Sequence, residues 1–326
     1  MSTRALAEYY ATNYTKCNLT YSFLASWQGV AYPNHAIQLL SLPIQVLAFY
    51  IILNKTPVYM KSVKWPLFIN HLSCALFELT LCTLSTLYCF LPIFGMFGVG
   101  VLSWIGMPYG SQLALIAFIG ICTCSSYIYL FESRTNCLVQ NKFKMNTTRK
   151  RIVYHVSVFL FNVLAFSCCT LNVPGDQDAA KLEALKSYPF LHKNFFIFFN
   201  TILNCGFHSS CTIYYLYINP PKTLSKDTQR SQKAFLMGIT FQVIVPLSCV
   251  IITFGLVFLG YSYGFYSQAL MNFGVDFGGL HGLGESIVIL SVHKQYRKAV
   301  FDLLCRQKSK TDHSKTNLKP TSHLAL

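Results

Sequence analysis

Four carboxylic acids, Glu78, Glu132, Asp276 and Glu285, fall in or at the edges of long apolar runs whose interiors contain no lysine or arginine. An ionisable group in such a place is costly and ordinarily turns toward a partner or a wet cavity. His71 and Glu78 are seven residues apart, two turns along one helix face. His281 and Glu285 are one turn apart. A histidine and a carboxylate at that spacing can begin a zinc site, but a third ligand is not evident, and hydrogen bonding between helices is the better reading. No metal or other cofactor is assigned. Glu132-Ser133-Arg134 sets an acid and a base two residues apart at the end of an apolar run. Taken alone, that arginine could equally be one that snorkels to water from a helix end. Paired aspartates, a nucleophile-elbow serine and a histidine cluster are all missing, so an intramembrane enzyme is disfavoured.

The elements that hold these residues are read from hydropathy. Of 326 residues, 53% are hydrophobic and only 11% charged, against roughly 25% charged in soluble domains. A bilayer core about 30 Å thick needs about 20 mostly apolar residues as helix, because lipid offers no partner to bare backbone groups. Runs at 33–53, 65–91, 109–131, 152–171, 194–218, 234–259 and 269–290 meet this demand. The expected fold is an all-α membrane protein, a bundle of seven transmembrane helices over 33–290 after a tail at 1–32. Pro92 to Gly100 is apolar but studded with helix breakers and reads as a loop at the membrane face. Pro246 removes one backbone hydrogen bond and should kink the sixth span. Gly274, Gly278 and Gly282, at four-residue spacing, should let another helix approach the seventh closely.

Charge then sets direction. All 26 Lys and Arg lie outside the seven runs, and 21 of them fall on one side of the membrane. The excess marks the cytoplasmic side, so the N-terminus is expected outside and the C-terminus inside. A net charge of +15 could suggest nucleic-acid binding, but the apolar runs make the lipid bilayer the partner instead. Two glycosylation sequons, at Asn13 and Asn18, lie in the outward tail, whereas those at Asn54 and Asn146 fall in inward loops and should stay bare. Residues 1–12 lack the apolar core of a removable signal peptide. The 13 cysteines are scattered without a CxxC, which suits neither a disulfide framework nor zinc. Near the outer face stand Cys17, Cys89, Cys168 and Cys169, and the choice among them for any bridge is open.

After the seventh span, Val292, Tyr296, Val300, Leu303 and Leu304 recur on one face with bases on the other. This predicts a short amphipathic helix over 291–306 on the inner leaflet. Cys305 at its end is a palmitoylation candidate. Residues 307–326 are polar and read as disordered. In the outward loop, Asp176 or Asp178 could cap a short helix ended by Pro189.

From about residue 17 to 301 the chain resembles the nematode serpentine chemoreceptors of class H, a family of seven-transmembrane G-protein-coupled receptors. The resemblance is carried by Ser22-Phe23-Leu24-Ala25-Ser26-Trp27, Lys55-Thr56-Pro57, Leu130-Phe131-Glu132-Ser133-Arg134, Asn141-Lys142-Phe143-Lys144, Gln242 before Pro246, His281-Gly282, and Val292-His293-Lys294-Gln295-Tyr296-Arg297. Ser133, Glu78 and Gln295 depart from the asparagine, aspartate and proline the family pattern suggests. The resemblance implies a chemosensory, odorant-type receptor in the plasma membrane of chemosensory neurons, in their sensory cilia, signalling through a heterotrimeric G protein. It also implies a switch at the base of the third helix. There Arg134 turns toward Glu132 when the receptor is inactive and toward the G protein when active, while the Pro246 kink lets the sixth helix swing. His71, Glu78, Asp276, His281 and Glu285 would form a polar core within the membrane, with Glu78 where related receptors often hold a cation or waters. A small-molecule ligand entering from outside would meet an apolar pocket, with Tyr109, Gln112, Phe196, Asn200 and Gln268 as expected lining. A membrane transporter or channel is the competing reading, but it calls for internal repeats and charged pathways that the chain does not show. A retinal pump would need a lysine between 269 and 290, and none is there.

Overall fold

The computed structural model describes residues 22–57, 60–90, 95–138, 141–170, 195–220, 225–263, 267–303 and 305. Asn13, Asn18, Cys17, the loop at 172–193 and the tail after 306 lie outside them. Backbone alone is described for Cys168, Cys169 and Phe196.

Long helices dominate, as an apolar chain in lipid must have them. They are α1 (Gln28–Lys55), α2 (Lys61–Leu79), α3 (Tyr109–Asn136), α4 (Thr148–Thr170), α5 (Phe195–Ile213) and α6 (Lys226–Ser262). The seventh span is two helices, α7 (Gln268–Gly279) and α8 (His281–Val292), hinged at Leu280. Among the described residues, five of these spans are long and apolar enough by themselves to cross a membrane, α4 and α5 not among them. α4 opens on Arg149-Lys150-Arg151, which lowers its apolar character without preventing it from packing against α3 and α5.

Several boundaries differ from the hydropathy reading. α1 starts five residues early and carries Pro33 inside its second turn. α6 begins at Lys226, eight residues before its apolar run, because nothing in the sequence Lys226 to Lys233 stops a helix growing into water. The largest correction is in the second span. α2 ends at Leu79, widens into a π-turn over Thr80–Leu84, and then reverses at Thr86, whose φ of 40° is rare for a β-branched residue. Beyond Thr86 the chain forms an antiparallel hairpin instead of more helix, β1 (Leu87–Phe90) with β2 (Gly95–Gly98), Leu87 opposite Gly98 and Phe90 opposite Gly95. A short apolar run suits helix or strand equally, so hydropathy could not separate them.

α3 is the central helix, touching α2, α4, α5, α6 and the hairpin. The main apolar core lies between α1, α2, α3, α6 and α8 and includes Ile51, Leu67, Leu130, Phe131, Ile239 and Ile289. Large apolar side chains such as Leu39, Leu40, Leu164, Ile218 and Phe258 face outward. On a soluble protein such a surface would aggregate, whereas hydrocarbon is its natural solvent.

The glycines of the seventh span are needed at two contacts. A Cβ on Gly278 would stand 3.1 Å from Thr253 Oγ1 of α6, and Thr253 also donates to Gly274 O at 2.7 Å. A Cβ on Gly282 would fall on the Glu78 carboxylate of α2. The close approach expected of the stripe is therefore made to two neighbours.

Candidate functional site

The functional residues fall into three layers along the bundle. The layer farthest from the basic loops is a clasp around the hairpin. Gln112, fully buried on α3, donates to Met107 O at 2.8 Å and accepts from Ser85 Oγ at 2.7 Å. Gln268 at the start of α7 donates to Cys89 O at 2.7 Å and to Asn272 Oδ1 at 2.8 Å. Asn272 donates in turn to Leu24 O and Ser26 O, and Tyr88 Oη to Ala25 O. Three of the residues expected to line the pocket have hydrogen-bond partners within the bundle. Gln112 and Gln268 spend their hydrogen bonds on the hairpin, and Asn200 pairs with Asn162 and Asn204 between α4 and α5. Tyr109 differs, since its Oη is buried without a hydrogen-bond partner.

The middle layer is a buried polar network that collects the expected core acids. Glu285 of α8 is its hub. His71 Nδ1 lies 2.6 Å from Glu285 Oε2, Asn70 Nδ2 donates to Oε1 at 3.2 Å, and Gln242 Nε2 donates to Oε1 at 2.9 Å. His71 Nε2 faces Gln45 O at 3.2 Å, so both ring nitrogens meet oxygen atoms. Ser126 donates to Asn70 Oδ1 at 3.1 Å. One carboxylate thus connects α2, α6 and α8 directly, α3 through Asn70, and α1 through His71. Glu78 accepts from Ser41 of α1, and Asp276 accepts from Asn34 at 2.6 Å. His281 does not join them. Its Nδ1 donates to Gly278 O of the seventh span at 2.9 Å, and its ring packs on Phe77 at 5.0 Å. With the hinge at Leu280 behind it, this ring lies between its own span and α2, although it sits one turn from Glu285.

The third layer lies at the end carrying the basic loops, and it alters the expected switch. Glu132 does not hold Arg134. Arg151 of α4 takes both carboxylate oxygens, at 2.9 and 2.6 Å, and His155 approaches at 3.3 Å. On a helix, residues two apart point away from each other, whereas Arg151 enters from a neighbouring helix with its fork aligned. Arg134, only 7% exposed, turns to α6. It donates to Gln232 O at 3.2 Å and lies over the Phe235 ring at 5.3 Å. A cleft of about 310 Å³ opens there, lined by Met60, Ser62, Val63, Arg134, Thr228, Ser231, Gln232 and Phe235.

Beside the cleft, residues 294–303 form the amphipathic helix expected after the seventh span, here α9. Its Tyr296 is fully buried, with Oη 2.8 Å from Thr56 Oγ1, while Val300 and Leu303 pack on the core. His293, at the junction, is wedged between Phe235 and Tyr296, and a Cβ on Gly238 of α6 would stand 2.6 Å from its ring. Burial pushes the His293 imidazole down to about 4. Cys305, beyond this helix, is a free and exposed thiol. Pro246 lies within α6 one turn past Gln242.

Sequence reasoning missed Arg151, His155, Asn34 and Asn70. Arg151 closes a run of three bases and was counted as loop charge. Its signal was the neighbouring apolar run, which placed one of the three bases at helix depth.

The chain is similar to known proteins over most of its length. Residues 25–203 and 194–306 match the family described as serpentine type 7TM GPCR chemoreceptor Srh. Serpentine receptor class H-72 of Caenorhabditis elegans is 28% identical over 331 aligned residues, covering 94% of this chain and 95% of that protein. A multi-pass bundle with a buried polar hub and a family match over almost its whole length leaves one assignment, and the chain belongs to the Srh family of serpentine seven-transmembrane chemoreceptors.

Proposed function

We propose that this protein binds a small molecule from outside the cell and passes the signal to a heterotrimeric G protein at the end carrying the basic loops. The observation that carries the reading is the arrangement of Arg134. Its acid neighbour is occupied by Arg151, and the guanidinium borders an open cleft between α2, α3 and α6. The excess of Lys and Arg at this end supports its facing the cytosol. The N-terminal tail then faces outside with Asn13 and Asn18 available for sugar, α9 lies along the inner leaflet, and Cys305 can take a palmitoyl chain. The membrane is the plasma membrane, and the family resemblance favours sensory cilia.

No bond is made or broken in this mechanism. The ligand acts by preferring one helix arrangement, and only its differential affinity moves the equilibrium. The Glu285 hub ties α6 to α2 and α8 just one turn from Pro246. A ligand that strains the outer ends of α6 and α7 would be felt by Gln242 and so by the cleft. Tyr109, with its buried and unpartnered hydroxyl, is the residue we assign to ligand contact. Gln112 and Gln268 shape the mouth by holding the hairpin in place.

The test is a screen of volatile and water-soluble compounds against cells expressing the receptor, read as calcium responses through a co-expressed G protein. At least one compound should give a saturable response that Tyr109→Phe weakens. Responses that persist without any G protein would point to a channel and contradict the reading.

A further inference from the structure

We infer that the cleft at the basic end is a binding site for a small phosphate-type oxyanion, held by Arg134 with the hydroxyls of Ser62, Thr228 and Ser231. Among the described residues Arg134 has no ion-pair partner. It is more than nine-tenths buried, its Nε has no hydrogen-bond partner, and its described bond is to a neutral carbonyl. A buried guanidinium without an anion is costly, and the acid nearest in sequence, Glu132, is taken by Arg151. The phenyl ring of Phe235 offsets a part of that cost through its π-face, but supplies no charge.

The rest of the cleft matches the same chemistry. Among the described residues no carboxylate lines it, and three of its eight lining residues carry hydroxyls. Gln232 also lines it, with a buried Oε1 that has no donor. An amide can present either end, so a flip would place an N–H there and satisfy both the amide and an incoming oxyanion. The volume of about 310 Å³ is at the lower end of the roughly 300–1,000 Å³ of small-molecule sites. That suits a phosphate group with part of its carrier. Met60, Val63 and Phe235 supply an apolar wall for a short organic portion. Arginine offers a planar fork that matches phosphate oxygens.

The inference rests on the receptor reading only in placing the cleft at the cytosol. An occupied cleft would compete with the G protein for Arg134. Two sources share the chemistry, a soluble phosphate compound or the headgroup of an anionic lipid. The experiment uses the full-length protein in nanodiscs at constant ionic strength, and measures binding directly with no G protein present. In the first arm, discs of phosphatidylcholine are titrated with radiolabelled glycerol 3-phosphate. In the second, the fraction of phosphatidic acid in the disc is raised and receptor-bound lipid is counted.

Saturable binding at one site per receptor is expected in one arm, and the arm that shows it names the source. Arg134→Gln should weaken it about tenfold or more, with Arg134→Lys intermediate because the charge remains but the fork is lost. Should Arg134→Gln fail to fold, Ser231→Ala keeps the question open, with an expected loss of about threefold to tenfold for one hydrogen bond. Absence of binding in both arms for folded receptor overturns the inference. So does binding that none of these substitutions weakens. Asp227 shares the first turn of α6. If only Asp227→Asn receptor bound the probes, the charge would be neutralised within the chain and the inference would fall.

Discussion

Glu132 gives both carboxylate oxygens to Arg151, and the exchange is unequal in its consequences. The Glu132 side chain is 1% exposed and that of Arg151 30%. An arginine deprived of its acid can reach water, whereas a carboxylate deprived of its base stays buried. Arg151→Met should therefore destabilise the receptor by about 3 kcal/mol. Glu132→Gln should cost about half as much, and the double variant should recover part of the larger loss. Thermal unfolding in detergent reads this, and equal losses for the two single variants would contradict the geometry. His293 provides a pH test. Its folded value of about 4 lies below the unfolded value of about 6.5, so the unfolded chain binds more protons between those limits. Stability is then full above pH 6.5 and declines as pH falls toward 4. The unfolding temperature should drop between pH 7 and pH 5 in the natural protein, and His293→Gln should flatten that slope.

At the scale of elements, the hairpin is held by single side chains from distant helices. Gln112→Leu removes the donor to Met107 O and the acceptor for Ser85. Hydrogen exchange over 85–107 should accelerate by about tenfold or more, while the middle of α3 keeps its protection. Protection lost throughout α3 would mean that Gln112 supports the helix and not the hairpin. The existence of the long helices was legible, because an apolar run of about 20 residues has few alternatives in lipid. Their ends were less so. Nothing in composition distinguishes Leu87–Phe90 as strand from a further turn of α2. The deciding feature is the φ of Thr86, a backbone choice without a compositional signal. Tyr109 as the start of α3 was legible for the opposite reason, since Pro108 cannot continue a helix backwards and marks the boundary in the sequence.

At the scale of the whole molecule, the sequence identified the polar groups but not their partners. His71, Glu78, Asp276 and Glu285 stood out as ionisable residues in apolar runs, and all four prove to be held by side chains of other helices. Partner choice depends on how the helices rotate about their axes. That rotation is set by many weak contacts, so the Glu132–Arg134 pairing that the family resemblance implies gives way to Glu132–Arg151. The Glu285 hub should resist change accordingly. His71→Leu leaves a buried carboxylate without its partner, at a cost of about 3–5 kcal/mol, and should reduce folded receptor at the surface. His71→Leu combined with Glu285→Leu should be milder than His71→Leu alone.

In the proposed function, signalling turns on Arg134 coupling the ligand-binding end of the bundle to a G protein at the basic end. The most direct measurement is ligand-evoked dissociation of the G-protein subunits, followed by resonance energy transfer, for natural and Arg134→Ala receptors matched for surface expression. The response should vanish in Arg134→Ala while the ligand still binds. An undiminished response at equal expression would contradict that role for Arg134.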